Sequence, residues 1–257
     1  MSGSAALTLA GNFALNVGGN WNDSSSGALT DATTGAVTFN GSAAQTIGGS
    51  ALSPFSRLTI SNTIGVTLTA NATVNSVLTL TTDLDTGANT LTLGSAATSA
   101  GAGDVIGNVS RSGLVNATTY DFGNGNVELT FTSGTPPTNV VVNLVKGTAP
   151  ATLPDAVQRQ YTITPTGGSG YAATVRLRYL ETELGTNVET ALNLYRYNSG
   201  LGKWELQPAT SRDATNNWVE KTGVATFSPW ALSTSSPTAV TLSTFSAATR
   251  MGMRFRF

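Results

Sequence analysis

Along residues 56–82, SRLTISNTIGVTLTANATVNSVLTLTT, apolar side chains alternate with threonine, serine or asparagine, and no charge follows Arg57. Period-two alternation of this kind predicts short strands with one buried and one wet face. Apolar pairs two residues apart recur at Leu15/Val17, Val37/Phe39, Leu58/Ile60 and Leu78/Leu80, with steps of 22, 21 and 20 residues between their first members. A weaker second track, Leu29, Ile47, Leu68 and Leu91, runs between them. The intervening pieces GGNWNDSSSG, DATTG, NGSAAQTIGGS and TGAN hold the Gly, Asn, Asp and Ser that suit turns. Nothing in this half carries helical 3,4 spacing with caps. One strand set per twenty residues or so fits a β-solenoid, parallel β-helix-like, in which Leu58 and Ile60 lie between the Val37/Phe39 and Leu78/Leu80 pairs. Outward Thr and Asn would then form ladders at the strand spacing of about 4.8 Å. The same pattern also admits an antiparallel sandwich, which would make the chain two β-sandwiches.

After residue 120 the strands lengthen and turn aromatic: VELTF (127–131), VVVNLV (140–145), RQYTIT (159–164), ATVRLRYL (173–180), ALNLYRY (191–197), KWEL (203–206), NWVEKT (217–222) and WALST (230–234). Turn clusters such as SGTPPT, TPTGGSG, NSGLG and DATNN separate them, the mark of a β-sandwich. In ATVRLRYL the alternation puts Val175, Leu177 and Tyr179 on one face and Arg176 and Arg178 on the other. The predicted fold is therefore all-β, with a solenoid over 1–119, whose segment 96–119 is the last coil or a cap, a sandwich over 120–235, and a linker with a C-terminal strand over 236–257.

Composition sharpens this division. Of the 257 residues 40% are hydrophobic, a globular level, but only 11% are charged, under half the usual quarter. Residues 1–103 carry Arg57, Asp23, Asp31, Asp83 and Asp85 as their only charges, so most of the charge lies beyond. A net charge of −1 gives no reason to seek nucleic acid or an anionic membrane. There is no histidine and no cysteine, which removes the commonest general base, thiol nucleophiles, disulfides and thiolate metal sites. No cofactor is expected, and the chain is read as not an enzyme. No apolar run is long enough for a transmembrane helix, and no basic and apolar leader opens the sequence. The expectation is a mature or truncated product, or one not exported by a classical signal.

The order YDFGNGN (120–126), PDAVQRQYTITPTGGSGYAATVRLRYLETELG (154–185), LYRYNSGLGKWE (194–205) and NNWVEKTGVATFSPWALS (216–233) resembles an Ig-like β-sandwich module, marked by FSPWAL at 227–232, of secreted or surface proteins of environmental bacteria. Threonine-rich solenoid segments like residues 5–94 often precede that module. The resemblance implies an extracellular or cell-surface location and a structural or adhesive role, and it brings no active site. PTAVTLSTFSA (237–247) looks like the opening of a further module, but the chain ends instead in TRMGMRFRF. This tail has three readings. It is a truncated or frameshifted end, or a strand with Phe255 and Phe257 on one face inserted into a neighbouring subunit. It also matches the closing pattern of outer-membrane barrels, Arg250, Gly252, Phe255 and Phe257, although many lipid-facing strands of about ten residues would be needed and are not visible.

Few residues offer chemistry. Glu181 and Glu183, two apart, would share one side of a strand at roughly 6.5–7 Å, a spacing a glycosidase pair could use. Strand-end carboxylates near Arg176, Arg178 and Arg196 explain them more simply. DLDTG (83–87) lacks a full calcium loop and reads as a turn. Asn-x-Ser/Thr at Asn22, Asn40, Asn71, Asn108 and Asn116 is near what chance supplies in so Asn- and Thr-rich a chain. Lys146, Lys203 and Lys221 raise the question of an intramolecular Lys–Asn bond, for which the spacing selects no pair. Trp204, Trp218 and Trp230, with Tyr195 and Tyr197, suit a sandwich core better than a sugar platform. Trp21, in a turn, would cap a coil or stand exposed.

The leading functional expectation is a structural subunit that pairs with copies of itself into an extracellular filament or sheath. LTLAGNFAL (7–15) and AVTLSTFSA (239–247) are its candidate pairing strands, and Val240, Leu242, Phe245, Phe255 and Phe257 its candidate assembly residues. The alternative is an adhesin or carbohydrate-binding module that recognises surface glycans. A β-helical lyase or hydrolase would need clustered charge on one face, which residues 1–103 lack.

Overall fold

A computed structural model describes residues 2–3, 7–9, 14–25, 29–31, 35–51 and 53–235. Apart from two short 3-10 turns, Glu181–Glu183 and Glu189–Ala191, its regular structure is β. The N-terminal part is a solenoid of about four turns. Its first side stacks Ala14–Val17, Ala36–Phe39, the second halves of Ser53–Ile60 and Ala72–Leu80, and Thr98–Ala100, all parallel. Leu15 pairs with Val37, Val37 with Leu58, Leu58 with Leu78, and Val17, Phe39, Ile60 and Leu80 follow in the same register. The stack expected from the 22, 21, 20 spacing is thus the one formed.

The second track divides. Ile47 does pair with Leu68, but Leu91 pairs with Ala72 and Leu29 with Leu7. Each coil has three sides rather than two, so residues between successive first-side pairs fall on two other sides. Inside the triangle Val37, Phe39, Phe55, Leu58, Ile60, Val74, Leu78, Leu80, Leu84 and Leu91 are fully buried. Each such side chain is worth about 1.5–3 kcal/mol of apolar transfer. Trp21 is a strand residue, half-buried against Phe55 at 5.7 Å between ring centroids, with its indole N–H donating to Ser53 Oγ at 3.0 Å.

Amides staple the corners. Gln45, buried, donates to the carbonyls of Val17 and Gly19 and accepts from Gly41 N–H and Asn62 Nδ2. Asn71 Oδ1 accepts from Thr90 N–H, Asn89 Nδ2 donates to Leu68 O, and Asn108 Nδ2 to Asn89 O. The polar ladder therefore runs through side chain to backbone bonds between coils, satisfying groups that the turns leave unpaired. At one corner Gly101 adopts φ +99°, and a Cβ there would strike the Leu80 carbonyl of the coil below.

Val105–Ser112 joins the two architectures. On one side it pairs in parallel with Leu84–Leu93, on the other antiparallel with Asn139–Lys146. The sheet then continues through Arg159–Thr166, Pro229–Ser233, Asn193–Asn198 and Lys203–Gln207, giving 15 strands among the described residues. A second, five-stranded antiparallel sheet is ordered Thr119–Asp121, Glu128–Thr135, Ser169–Arg178, Trp218–Val224, Ser211–Asp213. All eight strands expected after residue 120 are present. The short edge strands at 119–121 and 211–213 are additional, too brief to show alternation. Val140, Val142, Leu144, Tyr161 and Ile163 of the large sheet share one core with Leu129, Phe131, Val175, Leu177 and Val219 of the small one. Phe131, Tyr171 and Phe227 close that core as a ring cluster.

Candidate functional site

For so sparsely charged a chain, the placement of charge is concentrated. Asp104, fully buried at the last solenoid corner, takes Arg178 Nη1 at 2.7 Å on Oδ1, and Arg159 Nη2 and Lys146 Nζ at 2.9 Å on Oδ2. Lys146 also reaches Asp83 Oδ2 at 2.7 Å, and Arg159 Nε reaches Glu183 Oε2 at 2.8 Å. Three carboxylates thus face three cations. Arg159 further donates to the Tyr161 hydroxyl, which itself donates to Arg178 O. Burial alone would push the Asp104 carboxyl up, but the Arg159, Arg178 and Lys146 charges outweigh it and hold the group at about 2. Burial pushes the Tyr161 phenol up to about 12, with Arg159 opposing.

This network corrects one expectation. Glu181 and Glu183 do not share a strand face, because the chain leaves the sheet after Arg178 and turns through Glu181–Glu183. Glu183 is buried on Arg159 while Glu181 is exposed, so the two carboxylates are not opposed across a cleft. The partner of Glu183 is Arg159, not Arg176, Arg178 or Arg196. Lys146 is held by carboxylates rather than by an asparagine. In DLDTG, Asp85 Oδ1 accepts from Gly87 N–H as a turn residue would, and among the described residues no carboxylate cluster suits a metal ion.

A second buried cation closes the C-terminal end of the solenoid. Arg111, fully buried, donates to Gly94 O at 2.8 Å, Ala97 O at 2.7 Å, Asp121 O at 2.6 Å and Asp121 Oδ1 at 3.1 Å. Asp121 in turn accepts from the Ser99 N–H and hydroxyl. Gly94 O, Ala97 O and Ser99 N–H of the last coil are thereby bonded by side chains, which caps that edge at these points.

The large sheet's other limits include Ala14–Val17 and Trp21–Asn22 at the first coil and Lys203–Gln207 at the far side, each paired on one side among the described residues. Leu15 and Val17 are half-buried against the core, and Leu206 is 47% exposed. Of LTLAGNFAL, Leu7–Leu9 pairs with Leu29–Asp31 and Ala14–Val17 with Ala36–Phe39. The expected assembly residues Val240, Leu242, Phe245, Phe255 and Phe257 lie outside the described residues.

Trp230, Tyr195 and Trp204 are buried, as a core role requires, with Tyr197 edge-on to Trp204 at 5.3 Å. Trp218 differs. It is half-buried, with the Arg176 guanidinium 4.2 Å from its ring centroid, and Arg176 also pairs with Glu128 and Glu220. No described helix is long and apolar enough to cross a membrane.

No protein-family model, no curated protein and no solved structure matches this chain. No family is identified by these comparisons, and the structure supports the coarser statement: an all-β chain with a short β-solenoid and a separate antiparallel sheet.

Proposed function

We propose that the protein is an extracellular structural subunit that assembles with copies of itself through β-strand pairing. The observation that carries this reading is a single large sheet with one solenoid end capped by Arg111 and Asp121 at Gly94, Ala97 and Ser99, while Ala14–Val17 and Lys203–Gln207 stand as edges among the described residues. Edge strands offer rows of backbone donors and acceptors that a further strand can pair with. A strand from a neighbouring copy placed on such an edge makes a head-to-tail contact, which propagates as a filament unless rotation closes it. AVTLSTFSA (239–247), with Val240 and Leu242 two residues apart, is the donor this reading names. Low charge and a Thr/Asn surface suit a durable extracellular scaffold.

Electron microscopy and light scattering of the 257-residue chain test the reading. Filaments are expected at high concentration, and deletion of 238–257 is expected to leave dispersed particles with unchanged β circular dichroism. Dispersed monomers of the full chain would sink the reading, and filaments that survive the deletion would remove the tail from it.

A further inference from the structure

The large sheet carries a second, smaller apolar cluster on the face turned away from the shared core. Tyr195 and Ala231 alternate with Leu194, Trp230 and Leu232 of that core, so they point outward, where Leu153 and Ala156 pack on them and on Trp204. Along the outermost strand, Lys203–Gln207, Trp204 stands opposite Tyr197 and Leu206 opposite Tyr195, which puts both on this face. Leu206 is nevertheless 47% exposed, and beside Trp204 a cleft of about 210 Å³ opens between Thr152, Gln160, Tyr197, Trp204 and Pro229. That volume is below the range of small-molecule sites and suits a side chain. The Trp204 indole N–H donates to Thr152 Oγ1 at 2.8 Å, which holds the ring as one wall. Among the described residues Lys203–Gln207 pairs only with Asn193–Asn198, so the backbone N–H and C=O groups on its outer side have no strand partner there.

The sequence supplies a strand of matching pattern. In RMGMRFRF (250–257), Met251, Met253, Phe255 and Phe257 alternate with Arg250, Gly252, Arg254 and Arg256, a strict period of two with one apolar and one cationic side. Residues 236–257 lie outside the described residues, but the point from which they start is fixed. Thr234 N–H donates to Asn187 Oδ1 at 2.7 Å, Ser233 stands opposite Asn193, and Leu194 stands opposite Gln207. The chain therefore leaves the sheet at the Gln207 end, two strands in from the edge. A position alongside Lys203–Gln207 is three strand spacings away, about 14 Å. The fourteen residues 236–249 span up to about 50 Å. A strand that enters at Gln207 and runs toward Lys203 is antiparallel to the edge, the more stable pairing.

We infer that Arg250–Phe257 pairs with Lys203–Gln207 of its own chain and closes that edge of the sheet. Met251 and Met253 then lie against Leu206, and the phenylalanines reach the mouth of the Trp204 cleft. Arg250, Arg254 and Arg256 fall on the side of Lys203 and Glu205, where long cationic side chains keep their heads in water. Glu205 accepts from Arg196 and Asn198 and, as a carboxylate, has room for a further donor. A link of fourteen residues presents the segment to its own edge at an effective concentration on the order of millimolar, which favours it over a neighbour's segment in dilute solution. Closure does not depend on self-assembly, and it leaves the first-coil strands Ala14–Val17 and Trp21–Asn22 for any copy that pairs.

The chain has no cysteine, so a bridge between two introduced thiols reports their proximity without ambiguity. Leu206→Cys is combined in the full chain with Met251→Cys, Met253→Cys or Phe255→Cys on the apolar side, or with Gly252→Cys or Arg254→Cys on the other, and oxidised in dilute solution. At least one apolar-side pair is expected to form an intramolecular disulfide ten times faster than either opposite-side pair, at a rate independent of protein concentration. Ile64→Cys, 63% exposed on a solenoid corner, is expected to form none with the same partners. Amide exchange gives a second readout that needs no disulfide. Phe255→Asp with Phe257→Asp is expected to quicken exchange in Lys203–Gln207 at least tenfold while Asn193–Asn198 is unchanged. Bridges that form only between chains, equal rates for the two sides of the segment, or exchange unmoved by the aspartates would overturn the inference. Those results leave the strand-pairing reading standing, because filaments seen by microscopy are scored separately.

Discussion

Asp104 Oδ1 accepts a 2.7 Å bond from Nη1 of Arg178, a residue 74 positions further along the chain. The contact ties the last solenoid corner to the end of a strand in the small sheet, and Arg159 and Lys146 of the large sheet meet the same carboxylate. One buried anion therefore fixes how three pieces of backbone sit together.

Asp104→Asn keeps the shape and removes the charge, leaving Arg159 and Arg178 buried with less than their counter-charge. Breaking one side of a buried ion network costs about 3–5 kcal/mol. Urea unfolding is expected to show a loss of that size. A loss below about 1 kcal/mol, the level of an exposed pair, would mean that water reaches the junction.

Acid should release the same clasp over a defined range. The folded Asp104 carboxyl sits at about 2, below the roughly 3.9 of an unfolded aspartate. A depressed carboxyl stabilises the fold above its unfolded value, and that contribution disappears as pH falls from about 4 through about 2. It amounts to about 2–3 kcal/mol at neutral pH. Unfolding free energies of parent and Asp104→Asn, measured from pH 6 to pH 2, are expected to converge across that window. Parallel curves would place the acid sensitivity elsewhere.

Leu58 lies between Val37 and Leu78 in the stacked ladder with no exposed surface. Leu58→Ala opens a cavity that coils fixed above and below cannot collapse, at a cost of about 2–5 kcal/mol. Ile64, an equally apolar residue on the outside of a corner, is 63% exposed. Ile64→Ala is expected to change stability by less than about 0.5 kcal/mol. Equal losses in denaturant titrations would contradict the assigned inside and outside of the solenoid.

The first-side stack was legible because its partners recur about one coil apart, so local spacing encoded a long-range contact. The third side was not. Leu91 lies about as far beyond Leu68 as Leu68 beyond Ile47, yet it pairs with Ala72, and nothing in the spacing distinguishes a two-sided coil from a three-sided one. The junction was invisible for a different reason. Asp104, Lys146, Arg159, Arg178 and Glu183 are scattered, and only the tertiary fold brings them together. One signal was available: a buried strand end, RLRYL, places Arg178 beside Tyr179, and an arginine there needs an anion. The Glu181/Glu183 expectation failed because alternation was extended past Tyr179, where the backbone bends into a turn closed by Glu183 N–H on Leu180 O.

The seal on the last coil gives a local test. Arg111 serves three carbonyls and one carboxylate from a position without solvent. Arg111→Met keeps most of the side chain's bulk but withdraws every donor, leaving Ala97 O without its side-chain donor, Gly94 O with only the Ala97 N–H, and Asp121 short of its counter-charge. Losses of this kind are on the order of 3–5 kcal/mol. The damage should begin at the end of the solenoid, so amide hydrogen exchange is expected to quicken first in Thr98–Ala100 and Thr119–Asp121, while Ala36–Phe39, three coils away, keeps its protection. Asp121→Asn in the Arg111→Met background removes the orphaned charge and is expected to recover part of the lost stability. Uniformly faster exchange, or a double variant no more stable than the single one, would show that Arg111 acts by packing rather than by capping the coil.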